Sequence, residues 1–136
     1  MASITDQILA VLVIFLIIFP SPLRSDSIQI YVVNNLYNNQ ILTVHCKSST
    51  HKDLGTKIMA HGASFNWLGD INVPGENEIW LCAMNTGKVN GLFAIFVSNR
   101  DNTRCGEVCE WSVKDDGIYL YIPSDNDFVL QFTWPH

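Results

Sequence analysis

The period of two in the apolar residues constrains the fold more than any other feature of this chain. Successive side chains of a β-strand point to opposite faces of its sheet, so alternate apolar residues cover one face of a half-buried strand. No convincing amphipathic helix is found after residue 26, and the pattern therefore predicts an all-β fold. The clearest sets are Ile28, Ile30 and Val32; Leu42, Val44 and Cys46; and Trp80, Cys82 and Met84.

Polar, turn-rich stretches separate these alternations at intervals typical of short strands. Seven or eight such strands are expected, and their spacing favours a small antiparallel β-sandwich of two sheets. Residues 91–98 (GLFAIFVS) are almost all apolar, which indicates a central strand buried on both faces. Each tryptophan lies in an apolar alternation, so we expect core positions for at least three of Trp67, Trp80, Trp111 and Trp134.

The strongest local prediction is a β-hairpin around Asp116 and Gly117. Asp-Gly is typical of a two-residue type I′ turn, in which both central residues have positive φ. Each apolar pair of the resulting hairpin falls on one face, so the turn and the hydrophobic pattern favour the same register. That register pairs Asp115 with Ile118, Val113 with Leu120, and Trp111 with Ile122.

The first 25 residues predict a signal peptide that precedes the fold. Residues 8–19 form an uncharged apolar run, which as a helix rises only about 18 Å, against about 30 Å for a bilayer core. We expect cleavage after Ser25 and one secreted domain over residues 26–136, with no stable membrane insertion once the signal is removed. Residues 1–7 contain no Lys or Arg, which leaves an uncleaved membrane anchor as the alternative.

Four cysteines follow this segment: Cys46, Cys82, Cys105 and Cys109. An even number of cysteines in a short secreted chain predicts two disulfides. Three pairings are possible, and the sequence does not choose among them. A Cys105–Cys109 bridge is disfavoured, because longer closed loops restrict the unfolded chain more in the loop-entropy model.

The charge balance and the sequence motifs argue against several functions. The net charge is −5 and no basic run is present, so nucleic-acid binding is not expected. His45 and Cys46 are neighbours on a strand and face opposite ways, and the spacing of Cys105 and Cys109 is not typical of zinc sites. No nucleophile–base pair is visible in the motifs. The sequence therefore predicts no enzyme, no metal and no cofactor.

Several short motifs after residue 43 form a specific set when they are taken together. They are VHCKS at 44–48, DLG at 53–55, Gly62, FNW at 65–67, Cys82, CGEVCEW at 105–111 and DGIY at 116–119. The set resembles the plant self-incompatibility protein family, the S-protein homologues, over about Ile28 to Trp134. Departures are Leu68, where an aromatic residue is common, and the acidic segment 73–78.

This resemblance implies a small secreted β-sandwich with two disulfides and no catalytic activity. Founding members of the family are stigma-secreted ligands that pollen recognises in self-incompatibility, and most homologues have no assigned role. We therefore expect a monomeric extracellular signalling ligand for a cell-surface receptor, in self-incompatibility or another process. The alternative is a small glycan- or cell-wall-binding module that uses exposed aromatic rings.

Partner binding is expected in loops, because loops on a rigid scaffold vary without unfolding it. The two candidates are the polar stretches 99–107 and 69–77, and the alternative is that both are ordinary solvated connections that bind nothing. Charge reversal in the first loop, at its two arginines, is expected to leave stability within about 0.5 kcal/mol. Glu78, beside the second loop, is expected to be solvated. The candidate contact residues are Arg100, Asp101, Asn102 and Arg104 in the first loop, and Asp70, Asn72 and Glu76 in the second.

Overall fold

The computed structural model describes residues 27–71 and 77–136, which form nine strands and one short helix. The predicted signal peptide, residues 1–25, lies outside the described residues. In chain order the elements are β1 Ser27–Asn34, β2 Leu42–Ser48, β3 Asp53–Met59, β4 Ser64–Asp70, β5 Ile79–Asn85, β6 Asn90–Val97, α1 Ser98–Arg104, β7 Val108–Lys114, β8 Gly117–Ile122 and β9 Asp127–Phe132.

The strands form two sheets. One has the strand order β4-β1-β7-β8-β9, and the other has the order β3-β2-β5-β6. The predicted all-β, two-sheet class is confirmed, with nine strands in the described ranges in place of seven or eight. One pair departs from the expected antiparallel arrangement, since β1 and β7 run parallel. Five strands separate them in sequence, and a connection of that length can return in either direction.

The alternate apolar residues pack into one hydrophobic core. All four tryptophans are buried, which confirms their predicted core positions. The Trp111 ring stacks on Phe132 with centroids 5.9 Å apart, and the Trp134 indole N–H donates a 2.8 Å hydrogen bond to the Lys114 carbonyl. Buried aromatic side chains remove about 150–250 Å² each from water, so these rings dominate the core energetics.

Strand β6 is an edge strand, and the prediction of a central strand at residues 91–98 is wrong. Among the described strands it pairs only with β5. A register shift opposite Trp80 and Leu81 turns both Ile95 and Phe96 into the core. Leu92, in contrast, points to the solvent side of the sheet and is exposed. The strand is apolar at both phases because one face packs inward and the other forms part of an apolar surface.

The β7–β8 hairpin exists, but its register differs by two residues from the prediction. Val113 pairs with Ile118 and Trp111 with Leu120, so the turn contains Asp115 and the residue after it. A shift of two keeps every side chain on its face, and the hydrophobic pattern therefore fits both registers. Gly117 does not have the positive φ of a type I′ turn; a Cβ there would lie 2.5 Å from the Phe132 carbonyl oxygen.

The two disulfides are Cys46–Cys82 and Cys105–Cys109. The predicted number is confirmed, and the expectation against Cys105–Cys109 is wrong. Cys46 and Cys82 are direct partners across β2 and β5, with Cα atoms 4.0 Å apart. The second bridge spans 4.9 Å between Cα atoms and joins the end of α1 to the start of β7. Folded-state proximity sets the pairing, whereas loop entropy sets only what each bridge contributes.

Candidate functional site

A shallow groove of about 480 Å³ crosses the outer face of the four-stranded sheet. Its floor and walls are contributed by strands β2, β5 and β6. The apolar part is lined by Ile79, Leu81, Ala83 and Leu92. This volume lies within the range of about 300–1,000 Å³ that ligand pockets occupy.

The alternation along β5 explains why this groove is apolar. Trp80 and Cys82 point into the core, and the intervening Leu81 and Ala83 therefore point outward. Leu81 is 42% exposed, and Leu92 on the neighbouring strand is 64% exposed. The outer face of a solvent-facing antiparallel sheet is usually polar, so large apolar residues there indicate a surface that contacts something other than water.

A group of charged residues borders the groove on the β2 side. His45 Nε2 lies 2.6 Å from Asp53 Oδ1, and the same oxygen accepts the Gly55 N–H at 2.8 Å. The Gly55 N–H and the His45 ring hold the pKa of Asp53 below its usual value. Lys47 Nζ is 4.0 Å from the other oxygen of Asp53, and its side chain is 65% exposed. The β2 side of the groove therefore carries an accessible cation.

Sequence reasoning missed this groove, although a signal for it was present. The segment IWLCAM in β5 is apolar at both phases of the alternation. One phase supplies the core, and the other supplies Ile79, Leu81 and Ala83 on the outer face. A strand that faces water on one side needs apolar residues only at its inward positions. The apolar residues at the outward positions of β5 were therefore the signal for an apolar surface.

The first predicted contact loop, residues 99–107, is largely helix α1 and its connection to β7. Asp101 is completely buried, and its Oδ2 accepts the Val97 N–H at 2.9 Å. Arg100 Nη2 and Arg104 Nη2 lie 2.9 and 2.7 Å from its two oxygens. Asn102 is half-buried. The structure brings Arg100, Asp101 and Arg104 together as a charged cluster around an internal carboxylate, which differs from an ordinary solvated connection.

This cluster fastens α1 to both sheets. Arg100 Nη2 donates to the Ala94 carbonyl of β6 at 2.8 Å. Arg104 Nη1 donates to Gln131 Oε1 of β9 at 2.8 Å, and its guanidinium lies 6.0 Å from the ring centroid of Trp111. Burial lowers the pKa of Arg104. The helix is short, and these contacts explain why a polar sequence is ordered at this position.

The second predicted contact loop, residues 69–77, is described only in part. Asp70 is half-buried and forms a 3.0 Å ion pair with Lys52. This contact raises the pKa of Lys52. Asn72 and Glu76 lie outside the described residues. A binding role for either predicted loop stays a prediction.

Glu78 is completely buried, and the expectation that it is solvated is wrong. Its Oε1 accepts the Trp80 indole N–H at 2.7 Å and the Asp70 backbone N–H at 2.9 Å. Its Oε2 accepts from Thr50 Oγ1 at 3.1 Å and from Lys52 Nζ at 3.4 Å. Position 78 is in phase with the inward residues of β5, and that phase was the signal for burial.

Metal-binding clusters and membrane-spanning helices are absent from the part of the chain that the structure describes. Across residues 27–71 and 77–136, no group of three or more His, Cys, Asp or Glu side chains is arranged to hold a metal ion. In the same ranges, no helix has the length and apolar character needed to cross a membrane.

Comparisons with known proteins agree on one family. A family model described as "Plant self-incompatibility protein S1" matches residues 29–134. The chain is 32% identical over 114 residues to S-protein homolog 24 of Arabidopsis thaliana, covering 83% of this chain and 73% of that protein. It is 33% identical over 116 residues to S-protein homolog 27 of the same plant, covering 85% and 74%.

A solved structure shows the same fold. It is that of an SPH (self-incompatibility protein homologue), from what is described as a widespread family of small, highly stable, secreted proteins from plants. The two folds superpose with a TM-score of 0.62 at 19% sequence identity, covering 82% of this chain and 96% of the other.

Proposed function

Since the chain belongs to the plant self-incompatibility protein S1 family, we propose that it is a secreted, non-enzymatic ligand that binds a cell-surface receptor protein. The family supplies the general context of small secreted plant proteins. Receptor binding is our proposal for this chain, and it rests chiefly on the apolar groove.

The groove is the observation that carries the proposal. Leu81 and Leu92 are exposed beside Ala83 on a sheet face that faces solvent. Exposed apolar surface of this kind, bordered by polar residues, is typical of a protein-binding site. The sheet beneath it is fixed by the Cys46–Cys82 bridge, which joins two of its strands. A fixed surface loses little conformational entropy on binding.

Binding through α1 is less well supported than binding through the groove. Arg100, Asp101 and Arg104 contact one another, the β6 edge and β9. A partner that used these charges would have to compete with contacts that hold the fold together. We therefore place the receptor contact on the outer face of the four-stranded sheet.

The state of the reactive side chains supports the non-enzymatic part of the proposal. All four cysteines are paired, so none is available as a thiolate nucleophile. His61 Nδ1 is engaged with the Leu36 carbonyl oxygen at 2.7 Å. His45 is held by Asp53 at 2.6 Å.

A glycan-binding module ranks second because the ring geometry does not favour it. Among the described residues, Tyr37 is the one exposed aromatic side chain, at 72%. Tyr121 and Phe128 are neighbours on the outer face of the five-stranded sheet, but their planes meet at 63°. A sugar-stacking platform needs rings that present their flat faces together, and this pair does not.

Binding of the oxidised protein to plant protoplasts tests the proposal. The fluorescently labelled protein should bind saturably, be displaced by unlabelled protein, and lose its sites when the cells are briefly treated with protease before labelling. Protease treatment removes surface proteins and leaves lipids and lipid-linked glycans in place. Non-saturable binding, or binding that survives the protease, would contradict the proposal.

A further inference from the structure

The apolar and polar sides of the groove meet along rows that cross the sheet. In the β2–β5 register Lys47 is directly opposite Leu81, and His45 is directly opposite Ala83. The β5–β6 register continues the second row to Leu92. Side chains that are directly opposite in a sheet have Cβ atoms about 5 Å apart. A ligand in the groove therefore meets an apolar wall and a cation within one strand spacing.

Lys47 is the charged residue of this arrangement that can bind a further anion. Its ion pair with Asp53 spans 4.0 Å and its side chain is largely exposed. Asp53, in turn, is occupied by the shorter contacts from His45 and the Gly55 N–H. An added carboxylate can bind the Lys47 ammonium without breaking a short ion pair.

The edge strand β6 carries an arginine of this chain on two of its backbone carbonyls. Arg100 Nη2 donates to the Ala94 carbonyl at 2.8 Å and lies 3.4 Å from the Ile95 carbonyl. A strand that extended the sheet at this edge would need such outward-facing backbone groups. Arg100 thus competes with a strand that would pair at Ala94 and Ile95, whereas the face of the sheet is open at the groove.

From these contacts we infer that the groove takes a partner segment in which an apolar side chain is next to an Asp or Glu. The apolar side chain packs on Leu81, Ala83 and Leu92, and the carboxylate pairs with Lys47. This inference rests on the proposed function and names the chemistry of the receptor element. The net charge of −5 opposes an anionic membrane surface as the occupant.

Short peptides test the inference on the isolated protein. The probes are acetyl-Leu-Glu-Leu-amide, its reversed-charge analogue acetyl-Leu-Lys-Leu-amide, and acetyl-Ser-Glu-Ser-amide. Chemical-shift changes of the backbone amides are followed up to about 5 mM peptide, since isolated segments bind weakly. The first peptide should shift Leu81, Ala83 and Leu92, and should bind at least about fivefold more tightly than either analogue.

A charge swap makes the test specific. Lys47→Glu should reverse the preference, so that the Lys peptide binds more tightly than the Glu peptide. Lys57→Glu is the matched control, because Lys57 is an exposed lysine on β3 and pairs with the core residue Val44; it should change nothing at the groove. Lys47 is largely exposed, so its replacement should leave the fold intact.

Several results would overturn the inference. They are no shifts at the highest peptide concentration, equal binding of the Glu and Lys peptides, or shifts elsewhere on the protein. Shifts of Leu81 and Leu92 that grow with protein concentration alone would assign the groove to a second copy of this chain. If peptides fail but protease-sensitive binding to protoplasts persists in Lys47→Glu, the acidic segment is excluded and the proposed function stands.

Discussion

The buried carboxylate of Glu78, which directly precedes β5, accepts the indole N–H of Trp80 at 2.7 Å. The same oxygen accepts the Asp70 N–H, and the other oxygen contacts Thr50 and Lys52. One carboxylate thus satisfies a core tryptophan and ties the end of β4 to β5. Buried charges persist only when they are paired and hydrogen-bonded, and Glu78 meets that condition.

Glu78→Ala should destabilise the protein by about 3 kcal/mol, because it leaves buried donors without an acceptor. Glu78→Gln keeps one oxygen for the Trp80 indole and should cost less. Glu110→Ala, which removes an exposed carboxylate on β7, is the control and should change little. Urea unfolding at neutral pH measures all three, and an equal midpoint for Glu78→Ala and Glu110→Ala would contradict this role.

Asp101→Ala should lower the free energy of unfolding by about 3–5 kcal/mol, because it leaves Arg100 and Arg104 without their buried anionic partner. This replaces the sequence-based expectation that the charges near position 100 are dispensable for stability. Glu107→Ala, an exposed carboxylate just beyond α1, provides the control. Comparable unfolding free energies for the two variants in urea would show that the cluster does not hold α1 in place.

The part of the fold that followed from the sequence is the part encoded by period-two patterning. Inward positions such as Ile30 and Trp80, and the number of disulfides, could be predicted because each depends on local pattern or redox context. The hairpin register could not, since a shift of two preserves both faces and the close approach of Gly117 to β9 is a tertiary contact. Long-range proximity also decides the pairing of Cys105 and Cys109.

The candidate site was harder to predict for a related reason. Residues 99–107 are polar and therefore resemble a solvated loop. The composition of such a segment is the same whether its Asp is exposed or is buried between two arginines. The partners of Asp101 are local in sequence, but its burial depends on the packing of Arg100 against β6 and of Arg104 against β9. The groove depends on which of two apolar phases of β5 faces outward, and on Leu92 of the neighbouring strand being in register with Ala83.

The two disulfides should contribute unequally to the free energy of unfolding. Cys46 and Cys82 are separated by 36 residues, and Cys105 and Cys109 by 4. In the loop-entropy model these separations correspond to about 4 and about 2 kcal/mol. Replacing each pair by two alanines and comparing urea midpoints under non-reducing conditions measures the difference. A larger loss from the Cys105→Ala/Cys109→Ala variant would contradict the entropic account.

Stability should fall in acid partly through Asp115. The pKa of this carboxyl is lowered because it accepts the Tyr37 N–H and a Gln40 amide hydrogen bond. The folded state therefore binds a proton less readily than the unfolded state, whose pKa is near the ordinary 3.8. The contribution of Asp115 to stability is present above pH 3.8 and is lost as the pH falls through the lower pKa of the folded state.

Asp115→Asn should remove this part of the pH dependence. Its urea midpoint should be lower than the parent's at pH 6, and the difference should shrink towards pH 2. Asp125→Asn, in the exposed β8–β9 turn, serves as the control. A difference between Asp115→Asn and the parent that stays constant from pH 6 to pH 2 would exclude the carboxylate as its source.

The most direct measurement of the central claim is protoplast binding by a variant that alters only the groove. Leu81→Ser/Leu92→Ser removes two exposed leucines from it. The matched control is Leu68→Ser/Leu130→Ser on the five-stranded sheet, where the leucines are 58% and 43% exposed. We predict that the groove variant loses at least about tenfold in affinity and that the control stays within about twofold. Unchanged binding by the groove variant, with both proteins folded, would contradict the claim that the receptor binds this face.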